Sequence, residues 1–330
     1  MTIVRLLNGT EFSSKSSTAI LDEALAAEIF IPYSCRTGRC GSCKAKLLRG
    51  QTAILMEEAG ISEDEKRQGI ILTCCRSAES VVDLDTPEVL DYQIPTTSAL
   101  PCKIANISRP ASDIIRVWLR FPPTVDFKFL PGQYVDIKLS DGTKRSYSIS
   151  SDDFSERQIE IQIKKVNNGK MSHYWFSQAK IGDLLYLNGP LGTFFLRPSK
   201  NIDLVFLATG TGIAPVKSIV DSITKLGEGQ RPRSVSIFWG NNYNEGFYLD
   251  RTVFPASAKI FMVHSRPNVG WEDQIGYVQN AWLAMKPDIS NTTVYACGSS
   301  SMIKSAKALL LNAGLPEIRF LSDAFVESGN

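Results

Sequence analysis

The chain has 330 residues, of which 43% are hydrophobic and 21% are charged, the composition of an ordinary globular protein. Its formal net charge is only +2, which gives no sign of a nucleic-acid or membrane-surface partner. The N-terminus lacks the apolar core of a signal peptide, and no stretch approaches the roughly 18 uninterrupted apolar residues of a membrane span. We therefore expect a cytoplasmic protein.

The first 90 residues predict a small mixed domain. Short alternating segments on either side of Asn8-Gly9 predict a hairpin, and the Ala/Leu-rich run 19–27, with acidic residues early, predicts a helix. A shorter polar helix is expected over 62–68. The composition then shifts to Pro, Thr and Ser without periodicity, which predicts a linker over 91–100.

Two further domains follow the linker. Between 101 and 198, several short strand-like runs are separated by turn signals such as Asp-Gly and Asn-Gly-Pro, which predicts a small antiparallel barrel. From 199 to 330, strand-like and helix-like segments alternate, which predicts a doubly wound parallel sheet. The predicted fold class is therefore multidomain α+β and α/β.

Five of the seven cysteines lie between positions 35 and 75. Cys35, Cys40 and Cys43 form a C-x4-C-x2-C loop and Cys74 follows at a distance, which is the plant-type spacing for a [2Fe–2S] cluster. Glycines 38 and 41 allow the loop to curl so that its N–H groups face the sulfur atoms. A zinc ribbon or buried structural cysteines are the alternatives, although a zinc site more usually has two Cys-x-x-Cys pairs. Cys75 competes with Cys74 as the fourth ligand.

The barrel region contains two weak nucleotide signals. Arg145-Ser-Tyr-Ser148 combines a guanidinium fork for a pyrophosphate, the flat face of Tyr147 and a small hydroxyl, but the same residue types alternate on many solvated strands. Gly169-Lys-Met-Ser172 is able to begin a helix whose N–H groups suit a phosphate. A simple turn and N-cap is the alternative for this second segment.

The third domain contains a stronger signal. The apolar strand over 203–208 enters Thr209-Gly-Thr-Gly-Ile-Ala-Pro215 and then a predicted helix, 214–226. A glycine-rich turn between a strand and a helix permits close approach of a phosphate. Pro215 replaces the third glycine of the dinucleotide fingerprint, which a first helical turn tolerates.

Two segments near the end complete the candidates. Cys297-Gly298 closes a predicted strand, at the edge where open α/β sheets bind ligands, but a buried cysteine as a small hydrophobe is the commoner outcome. Ser322-Asp-Ala-Phe325 is either a loose tail or an aromatic lid.

In this order, the motifs resemble those of the ferredoxin–NADP reductase superfamily, in the class with an N-terminal ferredoxin domain. The resemblance covers essentially the whole chain and implies a β-grasp ferredoxin domain, an FAD-binding barrel and an NAD-binding domain. The doubled cysteine in Ile71-Leu-Thr-Cys-Cys75 and the ending Phe320-Leu-Ser-Asp-Ala-Phe325 are similar to reductases of bacterial dideoxysugar biosynthesis. Ala208-Thr-Gly and Trp239-Gly-Asn-Asn depart from the expected Ala-Gly-Gly and Trp-Gly-Met.

The resemblance also implies a role for each candidate residue. The ligands of the cluster are Cys35, Cys40, Cys43 and Cys74. The FAD would contact Arg145, Tyr147, Ser148 (near N5), Gly169, Met171, Ser172 and, by stacking, Phe325. The NADH pyrophosphate would lie against residues 210–215, including Gly210, Thr211, Gly212 and Pro215, and the nicotinamide beside Cys297 and Gly298. Ser148 and Cys297 are the expected catalytic residues.

The implied activity is electron transfer from NADH through FAD and a [2Fe–2S] cluster to a partner protein. That partner is expected to be the pyridoxamine-phosphate and [2Fe–2S] dehydrase of 3,6-dideoxyhexose biosynthesis. A multicomponent oxygenase is the alternative, and a redox-sensing module without turnover is a third hypothesis. NADH is favoured over NADPH because residues 240–245 offer no Arg or Lys for a 2′-phosphate, while Arg231 and Arg233 precede the strand.

Overall fold

The computed structural model describes residues 1–267 and 270–325. These residues group into two compact units: the first comprises 1–94, 192–194 and the residues from Asp323 onward, and the second comprises 95–191 and 195–322. No helix in the described part of the chain is both long enough and apolar enough to cross a membrane.

The first unit is a five-stranded mixed sheet with a helix packed against it. Its sheet order is β2-β1-β7-β3-β5, and β4 and β6 form a separate two-stranded sheet. Its elements are β1 (Thr2–Leu6), β2 (Glu11–Ser14), α1 (Ile20–Ala26), β3 (Lys44–Arg49), β4 (Thr52–Ile54), α2 (Glu63–Arg67), β5 (Ile70–Leu72), β6 (Arg76–Ala78) and β7 (Val82–Asp85).

Both predicted features at the N-terminus are confirmed. The strands β1 and β2 form an antiparallel hairpin across Asn8-Gly9, and Gly9 has the positive φ of 87° that a tight turn favours. Helix α1 buries Ile20, Leu21 and Ala24 against the sheet. The hydrophobic core of this unit therefore lies between α1 and the sheet.

The second unit begins with a six-stranded antiparallel sheet in the order β11-β10-β13-β8-β9-β12. An antiparallel bridge between Ile149 and Ile161 joins its two edges, so the sheet closes as the predicted barrel. Its elements are β8 (Ser98–Ala111), β9 (Ile114–Arg120), β10 (Tyr134–Lys138), β11 (Lys144–Ser148), β12 (Gln158–Lys164), α3 (Lys170–His173), a π-helical turn (Tyr174–Gln178) and β13 (Leu184–Leu191).

A second six-stranded sheet in this unit has the order β17-β16-β15-β14-β18-β19, and β14 to β18 pair in parallel. Helices alternate with its strands, as predicted. Its elements are β14 (Asp203–Thr209), α4 (Ile213–Ile223), β15 (Ser234–Asn241), β16 (Ala258–His264), β17 (Gln274–Ile275), α5 (Val278–Ala284), β18 (Thr292–Ser299), α6 (Ser300–Asn312) and β19 (Phe320–Phe325).

The structure corrects the end of the predicted linker over 91–100. Strand β8 already begins at Ser98, and residues 98–100 pair with the end of β13. The strand was missed because it contains Pro101. That proline is tolerated because pairing with β9 begins only at Lys103, so Pro101 has a paired neighbour on one side alone. The other predicted domain boundaries stay a prediction.

A buried ion pair braces the first unit. The Glu58 carboxylate accepts two hydrogen bonds from Arg76, at 3.0 and 2.7 Å, and one from the backbone N–H of Leu72 at 2.8 Å. The Glu58 side chain is only 2% exposed. Because Leu72 and Arg76 lie on either side of Cys74, this single carboxylate fixes the segment that carries the predicted fourth ligand.

We expect Glu58→Ala to destabilise this unit by about 3–5 kcal/mol, because it leaves the Arg76 charge partly buried without a partner. Hydrogen exchange measured by mass spectrometry should show faster exchange of the amides over 70–78. Glu63→Ala is the control, since Glu63 forms an ion pair with Lys66 while 81% exposed. Equal exchange rates over 70–78 in both variants would contradict the assignment.

Candidate functional site

The loop of Cys35, Cys40 and Cys43 is curled by its two glycines. Gly38 and Gly41 have φ values of +72° and +77°, which favour glycine over other residues. A Cβ atom added to Gly38 would lie 2.1 Å from the Glu57 carbonyl oxygen, so the backbone approach itself excludes a side chain. The curled loop begins immediately after Ser34 and ends where β3 begins.

Backbone N–H groups face the sulfur atoms of this loop, as predicted. The N–H groups of Thr37 and Cys40 each lie 3.4 Å from Cys35 Sγ, and the N–H of Ser42 lies 3.4 Å from Cys40 Sγ. Such hydrogen bonds stabilise negative charge on sulfur and raise the reduction potential of a cluster ligated there.

The four predicted ligands fall into two sulfur pairs. Cys43 Sγ and Cys74 Sγ are 3.3 Å apart, and the side chains of Cys35 and Cys40 are hydrogen-bonded to each other. A [2Fe–2S] cluster needs two thiolates on each iron. The arrangement of the four cysteines therefore fits such a cluster, with one pair for each metal.

Each pair contains one thiol that ionises readily. A hydrogen bond from Cys40 lowers the pKa of Cys35 to about 5, and hydrogen bonds from Cys43 and Cys75 lower the pKa of Cys74 to about 3. The same bonds raise the pKa values of Cys40 and Cys43. Because the thiolate is the ligating form, Cys35 and Cys74 are the members of each pair that ionise first.

The geometry bears on Cys75, the alternative fourth ligand. Cys75 is fully buried, and its sulfur lies 3.5 Å from Cys74 Sγ and 3.6 Å from the Glu57 carbonyl oxygen. Cys75 is thus a neighbour of the ligand set.

The segment Arg145–Ser148 lies on β11, an edge of the barrel sheet that pairs with β10. Arg145 and Tyr147 are two positions apart, so their side chains lie on the same face of this strand. Within the described residues Arg145 forms no ion pair with a carboxylate, so its guanidinium is available to an anion. The Tyr147 hydroxyl accepts a hydrogen bond from the Trp175 indole at 2.8 Å, and burial raises its pKa, so the phenol stays neutral. Ser148 is 6% exposed.

The second barrel motif is a single helical turn. Gly169 is the N-cap of α3, and Ser172 Oγ accepts a hydrogen bond from the N–H of Val166 at 2.8 Å. Met171 is 4% exposed and packs into the barrel core. The structure therefore supports a capped turn here, and the predicted phosphate contacts remain predictions.

The glycine-rich turn after β14 packs directly against the end of β18. Residues 210–212 form one 3-10 turn, and Pro215 lies in the first turn of α4. A Cβ added to Gly212 would lie 2.3 Å from the Cys297 carbonyl oxygen. One added to Gly298, whose φ is +131°, would lie 2.2 Å from Thr209 Oγ1. The structure thus brings the two predicted NADH segments together backbone to backbone.

Cys297 and Phe325 differ in their surroundings. Cys297 is fully buried at the carboxyl end of β18, beside Ala208 of β14. Phe325 is the last described residue and is half-buried at the end of β19, so the segment from Phe320 is a strand and not a loose tail. Neither arrangement tests the role that the resemblance implied for these residues.

The sequence analysis missed the residues that join the two sheets of the second unit. The Tyr243 hydroxyl donates to Asp113 at 2.6 Å, and Lys225 pairs with Asp152 and Asp153 at 2.7 Å. Lys164 extends from β12 to the nucleotide turn, where its Cδ lies 4.0 Å from a Cβ built on Gly210. These partners are far apart in sequence, so no local pattern indicates them.

A positively charged side chain also lies just after the carboxyl end of β16. Arg266 is exposed and follows His264, which pairs with Asn241 at the end of β15. Arg231 and Arg233 lie before β15, as predicted, and Arg233 is paired with Asp203. The absence of a cation over 240–245 therefore does not remove all positive charge from this edge of the sheet.

Comparisons with known proteins match three parts of the chain. Three family models match in order: the 2Fe-2S iron-sulfur cluster binding domain over 6–79, the oxidoreductase FAD-binding domain over 101–196 and the oxidoreductase NAD-binding domain over 206–308. The ferredoxin reductase in carbazole 1,9a-dioxygenase, a solved structure, is similar in fold, with a TM-score of 0.71, 24% identity and 98% of each chain covered.

Two curated relatives match almost the whole chain. CDP-6-deoxy-L-threo-D-glycero-4-hexulose-3-dehydrase reductase from Yersinia pseudotuberculosis is 40% identical over 97% of each chain. The reductase component 1 of terephthalate 1,2-dioxygenase from Comamonas is 30% identical, with 96% of this chain and 95% of that one covered. The chain belongs to this family of iron–sulfur flavoprotein reductases. It is an NADH-dependent oxidoreductase with [2Fe–2S], FAD and NAD domains, which confirms the predicted fold class and cofactors.

We expect Cys40→Ser to remove the cluster and to preserve the reduction of ferricyanide by NADH through the flavin. The reason is that Cys40 lies in the first unit, whereas Arg145, Ser148 and the nucleotide turn 210–215 lie in the second. Iron and acid-labile sulfide analysis, together with ferricyanide assays, measures both effects. Cys102→Ala is the matched control because Cys102 is buried in the barrel core, and it should retain its iron. Loss of ferricyanide activity in parallel with iron would refute this modular arrangement.

Proposed function

We propose that the chain acts as a CDP-6-deoxy-Δ3,4-glucoseen reductase, which supplies electrons from NADH to the dehydrase of 3,6-dideoxyhexose biosynthesis. The observation that carries this proposal is the 40% identity over 97% of both chains with the Yersinia hexulose-3-dehydrase reductase. The reductase component of terephthalate 1,2-dioxygenase from Comamonas is 30% identical over nearly the whole of both chains. The acceptor protein, and not the cofactor set, therefore separates the two functions.

The proposed cluster site rests on the two sulfur pairs. Cys35 with Cys40 would hold one iron, and Cys43 with Cys74 the other. The N–H groups directed at Cys35 and Cys40 would favour the reduced cluster. Cys43 and Cys74 are buried, whereas Cys35 and Cys40 are half-buried. Electrons would therefore leave most readily on the side of the first pair.

The proposed flavin site uses residues of the barrel strand β11. Arg145 would neutralise the FAD pyrophosphate, because a guanidinium fork matches phosphate oxygens. Tyr147, held by Trp175, would present a fixed flat face to the isoalloxazine and ribityl groups. Ser148 would donate its hydroxyl near N5. Gly169, Met171 and Ser172 would support the phosphates.

The proposed NADH site is the contact between the turn 210–212 and the Cys297-Gly298 pair. Gly212 and Gly298 allow the turn and the end of β18 to pack closely at the carboxyl edge of the parallel sheet, where a ligand would meet backbone atoms and the Thr209 hydroxyl. Pro215, in the first turn of α4, would need no partner for a backbone N–H. Cys297 would lie beside the nicotinamide. When bound, the flavin accepts two electrons as hydride and releases them singly to the cluster.

The cellular setting follows from the same chemistry. Thiolate ligands and free thiols persist in a reducing compartment, and NADH is abundant there. We therefore assign the chain to the cytoplasm, as a protein that meets its acceptor in solution, with no nucleic-acid or membrane partner.

The test is an anaerobic assay of NADH oxidation with purified full-length reductase and two candidate acceptors. One is a pyridoxamine-phosphate and [2Fe–2S] dehydrase with its CDP-4-keto-6-deoxyhexose substrate, and the other is the terminal oxygenase component of a terephthalate dioxygenase with its substrate. We expect rapid NADH oxidation coupled to deoxygenated sugar with the dehydrase alone. Mixtures without sugar, or with Cys40→Ser reductase, serve as controls.

Coupling to the oxygenase alone would replace this proposal with the oxygenase reductase function. A reductase whose bound flavin and cluster are not reduced by NADH would support a redox-sensing module without turnover.

A further inference from the structure

A hydrogen bond in the second unit connects the two sheets at a point near both predicted cofactor segments. The hydroxyl of Tyr248, in the connection between β15 and β16, donates to Gln162 Oε1 of barrel strand β12 at 2.6 Å. Gln162 is 4% exposed. Burial also raises the pKa of Tyr248, which keeps the phenol protonated and therefore a donor. Neither residue has a role in the candidate sites described above.

The Gln162 amide is held so that its oxygen must face Tyr248. Its nitrogen donates to Ser150 Oγ at 2.7 Å and to Glu160 Oε1 at 2.9 Å. Glu160 in turn is fixed by two hydrogen bonds from Arg116, at 2.8 and 3.0 Å. Ser150 is two residues beyond Ser148. The amide therefore connects Tyr248 to the chain segment that carries the predicted flavin contacts.

The aromatic ring of Tyr248 makes the connection on the other side. It meets the Trp239 ring edge to face, with the centroids 5.3 Å apart and an interplanar angle of 86°. Trp239 is fully buried, and its indole N–H donates to the Gly210 carbonyl oxygen at 2.9 Å. Gly210 opens the turn that is proposed to bind the NADH pyrophosphate.

Together these contacts form one continuous series of Ser150, Gln162, Tyr248, Trp239 and Gly210. Every link is either a hydrogen bond with ordinary geometry or an edge-to-face ring contact. Within this series, the aromatic side chains of Tyr248 and Trp239 lie between Gln162 and the turn. It therefore couples the position of β12 to the position of the nucleotide turn.

We propose that Tyr248 is a positioning residue that holds the NADH-binding turn in register with the flavin-binding strand. This inference rests on the proposed function. Hydride transfer needs the reacting atoms about 3–3.5 Å apart, so a small displacement of one segment slows the reaction steeply. Affinity for NADH depends instead on contacts within the turn and the sheet edge. Loss of the Tyr248 hydroxyl should therefore change the rate of transfer far more than the binding of NADH.

The test uses Tyr248→Phe in the full-length holoprotein, which removes one oxygen atom and keeps the ring against Trp239. Stopped-flow reduction of the flavin by NADH should show a limiting rate about tenfold lower, with the dissociation constant of NADH changed by less than about twofold. Hydrogen exchange without NADH should be faster over 209–215, a readout that does not depend on turnover. Tyr186→Phe is the control, because Tyr186 is 65% exposed on β13 and outside the series.

A second variant tests the bond from its other end. Gln162→Met removes the acceptor together with the two hydrogen bonds that the amide nitrogen donates, and the double variant should be no slower than Gln162→Met alone, because that change already breaks the bond from Tyr248. Wild-type rates and exchange in Tyr248→Phe, or additive losses in the double variant, would overturn the inference while the proposed function stands. A wild-type protein whose flavin is not reduced by NADH would overturn both.

Discussion

The gathering of four sulfur atoms from two distant segments is the constraint on which the first unit depends. Four thiols at this spacing repel one another once ionised, and the fold has to hold them together without help from a disulfide. It does so with backbone contacts that exclude side chains at Gly38, and with the Glu58 carboxylate that fixes both sides of Cys74. The loop and the fourth cysteine are thus positioned by independent interactions. Contacts within the protein therefore fix the positions of the four cysteines.

The second unit solves a different problem, which is the alignment of two nucleotide sites built on two sheets. Its glycine-rich turn packs closely against the end of β18, where Gly212 and Gly298 leave no room for a Cβ atom, while Arg145 is exposed on barrel strand β11. Hydrogen bonds from Tyr243, Tyr248 and Lys225 then join the sheets. Because hydride transfer depends steeply on distance, these contacts between sheets are as important to the reaction as the contacts to each cofactor.

The sequence predicted the features that are local. Three of these features lie within short stretches of the chain, so a single sequence is enough to recognise them. They are the spacing of Cys35, Cys40 and Cys43, the strand-to-helix turn at 209–215 and the alternation of the barrel strands. The structure adds that the fourth cysteine pairs with Cys43, which spacing alone does not specify. The identity of the cofactors followed from the order of these local motifs.

The sequence could not predict features that depend on pairing across long separations. Strand β8 was taken in part as a linker because Pro101 and several serines hide its alternation, and its identity comes from pairing with β13. The contact of Gln162 with Tyr248 joins residues 86 positions apart, and Glu58 braces residues 14 and 18 positions away. Such partners are chosen by the tertiary fold, so hydrophobic period and turn residues carry no information about them.

The account depends on metal, sulfide and flavin being present together in one polypeptide. Elemental and cofactor analysis of the full-length protein, purified without oxygen, tests this most directly. The account predicts two irons, two acid-labile sulfides and one FAD per chain. One zinc per chain without sulfide, or a protein free of flavin, would contradict it.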